Sequence, residues 1–375
     1  MSTALVIGKF YPPHDGHVAL IEHAARGSGG ERGVTVLVMA TREESLSLGE
    51  RVAWLAESCA GWPGVTVVGV HDDAPVDYRS PVAWTAHVAL IAAALRAHGQ
   101  PMPDVVVTSE DYGHRLAEEL GARCEVFDPE RTRFRVSGTA VRADVAGRWA
   151  QLPAPVRRGL AVRTVVLGAE STGTSTLAAD LVRHYRGRPG HARLREVLEY
   201  GREFTYRLHE EACTEAQAAG RPAPGVEDLV WRTEHFAHIA VEQSRREDEA
   251  ALAHPLVIAD TDAFATALWE RRYVGPDSRG AASAGVPAAS ERRLYLVTDH
   301  VGVPFEQDGW RDGEHLRAEM HRWFVDGLTE AGHSWVLLRG SRAERFHYAV
   351  RTVDALWRRG SAFASPEWAD STVLA

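Results

Sequence analysis

The sequence predicts an α/β protein built from two parallel-sheet domains. Three observations carry that prediction. The chain has 375 residues, more than one ordinary hydrophobic core accommodates. Apolar strand-like runs alternate with helical stretches along its length, the pattern of a parallel sheet with helices on both faces. A strand that ends in a glycine and leads through a loop into a helix occurs twice, at Gly8 and at Gly168.

The elements follow in order. Ala4–Ile7 is apolar and ends at Gly8, and a helix is expected from Asp15 to Ala25. Val34–Met39 reads as a buried strand, Arg51–Cys59 as helix and Val65–Val70 as strand. Pro81–His98 is a long helical stretch rich in Ala and Leu. Val105–Thr108 is strand, Asp111–Leu120 helix and Cys124–Phe127 strand. Gln151–Gly159 carries two prolines and two arginines, which places a linker there. The alternation then restarts with the strand Thr164–Leu167 and the helix Thr174–Tyr185. A long polar helix is expected around Val226–Leu252, with strands at Leu256–Ala259, Leu294–Val297 and Val336–Leu338. Gly275–Ser290 is rich in Gly, Ala, Ser and Pro and reads as a mobile surface loop. The domains are therefore drawn as 1–150 and 163–375, joined by a linker at 151–162.

Composition bounds the function. The residues are 45% hydrophobic and 25% charged, as in a soluble globular protein, and the net charge is −9. An acidic balance excludes broad nucleic-acid binding, which needs a basic surface, but not small phosphorylated ligands, which need only a local cluster of donors. Cys59, Cys124 and Cys213 are widely spaced and odd in number, so reduced thiols and a cytoplasmic setting are expected. No apolar run approaches a membrane span, and the apolar start of the chain lacks the basic flank of a signal peptide. Self-association is left open.

Gly8-Lys9-Phe10-Tyr11-Pro12-Pro13-His14-Asp15-Gly16-His17 lies between the first strand and the first helix. In open α/β sheets ligands sit at the carboxyl ends of strands, near helix N-termini. Gly8 lets backbone approach a phosphate, and the prolines stiffen the turn. His14 and His17, three apart, can face one side and donate to a phosphoryl group as charge develops. Read as GKFxPxHxGH, the string resembles the signature of the HIGH-type nucleotidyltransferase superfamily. Val136-Ser137-Gly138-Thr139-Ala140-Val141-Arg142 resembles that superfamily's ISSTxxR segment, with Gly138 in place of the second serine. The resemblance implies a Rossmann-like domain that binds ATP through Gly8, Phe10, Ser137 and Thr139. Lys9, His14, His17 and Arg142 would hold the triphosphate while an acceptor phosphate attacks its α-phosphorus and pyrophosphate leaves. As bare chemistry, Ser137 and Thr139 are also ordinary helix caps.

Gly168-Ala169-Glu170-Ser171-Thr172-Gly173-Thr174-Ser175 has the GxxxxG frame of a phosphate-binding loop, in the strand–loop–helix context that such a loop needs. Backbone N–H groups of Gly168 to Thr176 would cradle phosphates, with Ser175 reaching Mg²⁺. Thr174 stands where the lysine of such loops belongs, so the charge has to come from elsewhere. Asp260-Thr261-Asp262 closes an apolar strand, where carboxylates suit Mg²⁺ or act as base for a substrate hydroxyl. Asp308-Gly309-Trp310-Arg311 resembles a nucleoside-kinase lid, which makes Arg311 the candidate for the missing cation.

Over nearly its whole length the chain resembles the NadR-type bifunctional enzymes, nicotinamide-nucleotide adenylyltransferase joined to ribosylnicotinamide kinase. Besides the two loops, the likeness includes Thr108-Ser109-Glu110-Asp111-Tyr112-Gly113, Asp128-Pro129-Glu130-Arg131-Thr132, Trp149 to Leu160, and Glu199-Tyr200-Gly201-Arg202-Glu203-Phe204. It implies a P-loop kinase-like second domain whose nucleoside side holds Glu199, Tyr200, Arg202 and Asp262, with Mg²⁺ on Ser175 and Asp260. It implies ATP, nicotinamide mononucleotide, nicotinamide riboside and NAD as ligands, and Trp84 is the candidate to stack on the nicotinamide ring. With the GKF motif at residue 8, the DNA-binding repressor domain of this family is expected to be missing. Two alternatives stand beside this reading. The first site could serve another phosphorylated acceptor, and the second half could sense nucleotides without catalysis, or take another nucleoside.

Overall fold

The computed structural model describes residues 2–27, 32–75, 77 and 79–364. The chain divides into two units, Met1–Gly159 with the residues following Gly360, and Leu160–Gly360.

The first unit is a five-stranded parallel sheet in the order β3-β2-β1-β4-β5. Its strands are β1 (Thr3–Gly8), β2 (Gly33–Ala40), β3 (Val65–His71), β4 (Val105–Thr108) and β5 (Arg123–Val126). Its helices are α1 (Asp15–Arg26), α2 (Leu48–Ser58), α3 (Pro81–Ala97), α4 (Tyr112–Leu120), α5 (Gly138–Ala143) and α6 (Ala154–Leu160), the last reaching the unit boundary. Val6, Val36 and Val105 pack with Ile21 and Leu55 of α1 and α2 on one face of the sheet. Leu5, Leu37 and Val106 pack with Ile91, Leu95 and Leu116 of α3 and α4 on the other. Burial on both faces explains why these strands read as continuous apolar runs rather than as alternation. Helix α2 begins three residues earlier than its apolar pattern suggests. Ser47 and Glu50 form a reciprocal cap, each side chain accepting from the other's backbone N–H at 3.2 and 2.8 Å. Pro81 opens α3 behind a Ser80 cap.

The second unit is also five-stranded and parallel, ordered β10-β9-β6-β8-β7. Its strands are β6 (Val162–Gly168), β7 (Glu196–Val197), β8 (Leu256–Asp260), β9 (Arg293–Thr298) and β10 (Trp335–Leu338). The helices are α7 (Thr174–Arg186), α8 (Tyr200–Ala218), α9 (Thr233–Ala253), α10 (Ala263–Tyr273), α11 (Gly280–Gly285), α12 (Arg317–Glu330) and α13 (Arg342–Gly360). Leu181, Val182 and Tyr185 of α7 and Val353 and Leu356 of α13 cover one sheet face. Among the described residues, no helix is long and apolar enough to cross a membrane.

Three segments depart from the sequence expectation. The stretch expected as linker is helical, with a 3₁₀ turn at Trp149–Gln151 before α6. The helix expected from Val226 is broken: a 3₁₀ turn at Val226–Asp228 precedes α9, whose regular part starts at Thr233. The Gly/Ala-rich stretch 275–290 is not simply a surface loop. It contains α11, because the buried Glu270 carboxylate accepts from Gly280 N and Ala281 N at 2.7 and 2.9 Å and caps the helix from outside. The lack of a side chain at Gly280 then permits close approach: a Cβ there would meet the Thr233 carbonyl at 2.2 Å. A composition that reads as flexible is here a close-packing device.

Candidate functional sites

A cavity of about 750 Å³ opens at the carboxyl end of β1. The loop Gly8–His17 forms one wall and α5 another. His14 and His17 are stacked, ring centroids 3.5 Å apart and planes 16° from parallel. The His14 backbone N–H donates to His17 Nδ1 at 3.2 Å. A ring nitrogen that accepts in a neutral imidazole leaves the proton on the other, so His17 presents Nε2–H as a donor. Both rings stay neutral. Burial, and then the Arg131 guanidinium, lower the His14 pKa to about 4. Burial, then His14 and Arg131, hold His17 well below its ordinary value. Gly16 is glycine because a Cβ there would press on both the His14 ring and Val136 at 3.2 Å.

Lys9 is the chain's only lysine, against 41 arginines. Its ammonium pairs with Glu44 at 3.1 Å on the cavity wall and keeps 40% of its side-chain surface exposed. Glu44 in turn binds Arg51, fully buried, at 2.7 Å. Arg51 also donates to the Lys9 carbonyl at 3.0 Å and to the Leu46 carbonyl at 3.0 and 2.5 Å, and lies over the Tyr11 ring. This buried pair positions Lys9 from behind. In sequence Glu44 and Arg51 look like ordinary surface charges, and nothing in the motif marks them.

Arg142 comes from α5 and donates to the Tyr11 carbonyl at 2.7 Å and to Thr139 Oγ1 at 3.2 Å. Ser137 caps α5 through Ala140 N at 3.2 Å. The glycine at 138 has a reason: a Cβ would stand 3.1 Å from the Tyr11 carbonyl and 3.2 Å from Arg142 Nη1, in the space the arginine uses. Phe10 is buried with its ring edge-on to His17 at 4.9 Å. Trp84 also lines this cavity, with Arg115 over its ring at 4.5 Å. Sequence reasoning missed the His87–Asp72 pair on the same wall, Nδ1 to Oδ2 2.6 Å. Arg131 pairs with Glu110 at the rim, and the Asp128 carboxylate holds that loop by accepting from Thr132 N and Phe134 N at 2.9 and 3.0 Å.

The second unit has its own cavity, about 560 Å³, around the loop Gly168–Thr176. The loop sits at the carboxyl end of β6 with Gly173 at φ +86° and Ser171 at φ +58°. Gly168 admits no side chain, since a Cβ would lie 2.3 Å from Thr298 Oγ1. Ser175 and Thr174 lie beside the Asp260 carboxylate and favour its ionised form, but burial, the larger effect, raises its pKa to about 6. Glu199 faces the same cavity, and burial, then the Asp260 charge, push it up to about 7. These oxygen donors — Ser175, Thr174 and Asp260 — suit a hard divalent cation. Glu170 and Thr172 of the loop are committed elsewhere. Glu170 pairs with Arg272 at 3.1 Å and accepts Gly313 N at 2.7 Å, while Thr172 Oγ1 donates to Ala169 O and meets Thr298 Oγ1, both at 2.7 Å.

Arg311 lines this cavity, with Nη1 3.5 Å from Ser171 Oγ and a second contact to the Glu306 carbonyl. Arg317 and Arg345 clamp the loop's carbonyls, donating to Ser171 O and Thr172 O, each at 3.1 Å. Arg202 of α8 also lines the cavity and pairs with Asp308 at 3.0 Å.

Two expected nucleoside-side residues do not reach the cavity. Tyr200 is buried in a core cluster with Phe236 and Ile239, its hydroxyl on His238 Nε2 at 2.9 Å. The first turn of α8 turns Glu199 and Arg202 outward and Tyr200 inward. Asp262 is fully buried: it caps α10 through Ala265 N at 3.1 Å and accepts from Arg293 at 2.8 Å and Tyr295 at 2.7 Å. Its place is structural because Asp260 ends β8 facing the cavity and the chain then turns into α10. The cavity's aromatic wall, Trp231, Phe236, Trp269 and Tyr273, was not legible in sequence, because those residues come from separate segments joined only by folding.

Each unit thus presents a loop and helix N-terminus, lined with donors, at the carboxyl end of a parallel sheet, the arrangement of an α/β protein that handles phosphorylated ligands. Comparison with known proteins agrees. A family model for an AAA domain matches residues 163–345. The chain is 23% identical over 282 residues to the trifunctional NAD biosynthesis/regulator protein NadR of Salmonella typhimurium, and likewise to that of Escherichia coli. In each case the match covers 72% of this chain and 63% of the relative, so the chain spans under two thirds of the curated relatives it matches. Two solved structures, NadR in complex with NR and NadR in complex with NAD and AMP-PNP, share its fold. Their TM-scores are 0.55 and 0.53, with 20% identity, covering 95% of this chain and 96% of each of theirs. The chain is homologous to NadR.

Proposed function

We propose that the chain makes NAD in two steps, with residues 163–375 phosphorylating nicotinamide riboside and residues 1–150 adenylylating the resulting mononucleotide. The observation that carries this reading is the first cavity, where a neutral His17 with Nε2–H free to donate stands beside Lys9 and Arg142. Those groups suit a triphosphate. The acceptor phosphate oxygen forms a bond to the α-phosphorus of ATP, the bond to the β-phosphate oxygen breaks, and pyrophosphate leaves. Lys9 and Arg142 hold the departing charge, and the imidazoles donate to the crowded α-phosphoryl oxygens. Trp84, its other face taken by Arg115, stacks on the nicotinamide ring.

In the second unit the backbone N–H groups of Gly168–Thr176 cradle ATP, and Arg311 supplies the charge that Thr174 lacks. Ser175 and Asp260 would hold Mg²⁺, which would supply positive charge against the phosphates. Glu199 accepts the proton of the riboside hydroxyl, Arg202 orients the sugar, and the aromatic wall receives the ring. The NadR structures solved with NR and with NAD and AMP-PNP support these ligand classes. The test uses the full chain with ATP and Mg²⁺, given either nicotinamide mononucleotide or the riboside, with NAD and mononucleotide read by chromatography. NAD from the mononucleotide is expected; no NAD, with turnover of another phosphorylated acceptor, refutes the first assignment. ATP bound to residues 160–360 without riboside phosphorylation refutes the second and leaves a nucleotide sensor.

A further inference from the structure

Outside both cavities, the described residues bring together one cluster with metal-ligating chemistry. Asp299 and His300 follow β9, and His321 stands in the second turn of α12. One ligand atom from each lies within 4.8 Å of the other two. The Asp299 carboxylate is fully buried and held in plane: Oδ1 accepts from Val301 N at 3.0 Å and Oδ2 from Arg339 Nε at 2.6 Å. His300 Nδ1 lies 3.2 Å from Asp299 Oδ1, and the His300 and His321 rings have centroids 5.2 Å apart with planes tilted by 52°. Nδ1 of His300 and Nδ1 of His321 are both buried, and neither has a hydrogen-bond partner among the described residues. The His321 nitrogen has no such partner and the His300 nitrogen only the misaligned contact to Asp299 Oδ1, and both are costly as they stand. A cation bound to all three removes that cost.

We propose that Asp299, His300 and His321 form a transition-metal site, filled by Zn²⁺ with a water in the fourth position. Two imidazoles and one carboxylate suit zinc and neighbouring first-row ions; magnesium and calcium take oxygen ligands. Tetrahedral zinc with bonds of about 2.0–2.1 Å sets ligand atoms about 3.3 Å apart. The Asp299–His300 pair already has that spacing, and the His321 ligand atom lies within 4.8 Å of both. Val301 N and Arg339 are the outer partners that orient the carboxylate. The position explains what the metal does. His300 and His321 bracket residues 301–320, which carry Asp308, Arg311 and the Arg317 clamp. A metal joining the two ends turns that excursion into a closed loop and narrows its motion.

This site stands whether or not the chain makes NAD, and metal content tests it directly. The untagged full chain, stripped with chelator, is titrated with Zn²⁺ against a competing indicator, and with Co²⁺ to read visible ligand-field bands. We expect one tight site per chain and tetrahedral cobalt bands. His300→Ala and His321→Ala each weaken zinc at least ~100-fold, while His333→Ala, elsewhere in the unit, leaves it unchanged. Zinc also slows hydrogen exchange across 301–316 in the parent chain, a measurement independent of how the variants fold. Absence of stoichiometric zinc, or equal zinc affinity in the parent and both variants, overturns the proposal.

Discussion

Arg51 offers the sharpest test of how the first site is built. Replacing it by methionine keeps most of the volume and removes the charge. Five contacts vanish: three to the Leu46 and Lys9 carbonyls, one to Glu44, and the stack on Tyr11. What remains is a Glu44 carboxylate 1% exposed, supported by Lys9 at 3.1 Å and Thr41 N at 3.2 Å. Removing one partner of a buried ion pair costs about 3–5 kcal/mol, and the surviving Lys9 contact argues for the lower figure, ~3 kcal/mol. At 1.36 kcal/mol per factor of ten, that speeds exchange of the slowest amides of β1 and β2 by on the order of 100-fold. Hydrogen exchange by mass spectrometry reads those strands separately from the second unit. Adding Glu44→Gln removes the stranded charge, so the double variant is expected to be more stable than Arg51→Met alone. Unchanged exchange in the single variant, or a double variant less stable than the single, refutes the account of Lys9 as held by a buried pair.

The other predictions concern chemistry and pH. His17→Ala is expected to lower adenylyl-transfer turnover at least ~100-fold, the scale of one lost transition-state donor; undiminished turnover would sink the site assignment. Thr174→Lys restores a loop cation, so in that background Arg311→Ala should cost much less riboside phosphorylation than it does in the parent, as single-turnover rates would report. His14 and His17 bind protons less readily folded than unfolded. Their contribution to stability is therefore complete above pH 6.5 and is lost as pH falls, for His14 through its folded value of about 4. His14 alone carries ~3 kcal/mol over that window. His14→Gln should flatten the acid side of the first unit's stability curve, measured by urea titration at stepped pH, and an unaltered curve would show that the buried ring is not responsible.

Much of the architecture was legible because it rests on local pattern. The strands β1, β2, β4, β6, β8 and β9 are buried on both faces and announce themselves as apolar runs, and the two loops follow directly from their glycines and strand context. What escaped was decided by packing. The α11 segment looks flexible until Glu270 caps it. The alternation that separates Glu199 and Arg202 from Tyr200 depends on which face of α8 meets the core. Asp260 and Asp262 are two residues apart with equal acidity on paper, yet one ends a strand at the cavity and the other is locked under Arg293. Glu44 and Arg51 carry charges that a sequence reader assigns to solvent. Asp299, His300 and His321 join across 22 residues of chain.

The solitary lysine has a practical consequence. A protein of this size ordinarily offers amine reagents a dozen or more targets, and labelling says little about any of them. Here, apart from the terminal amine, every acylating or reductively alkylating probe reports on Lys9 and hence on the wall of one cavity. A single mass increment measures its reaction, and protection by a bound nucleotide becomes a footprint with one position. The substitution of arginine everywhere else has left the molecule with a built-in handle at its first site.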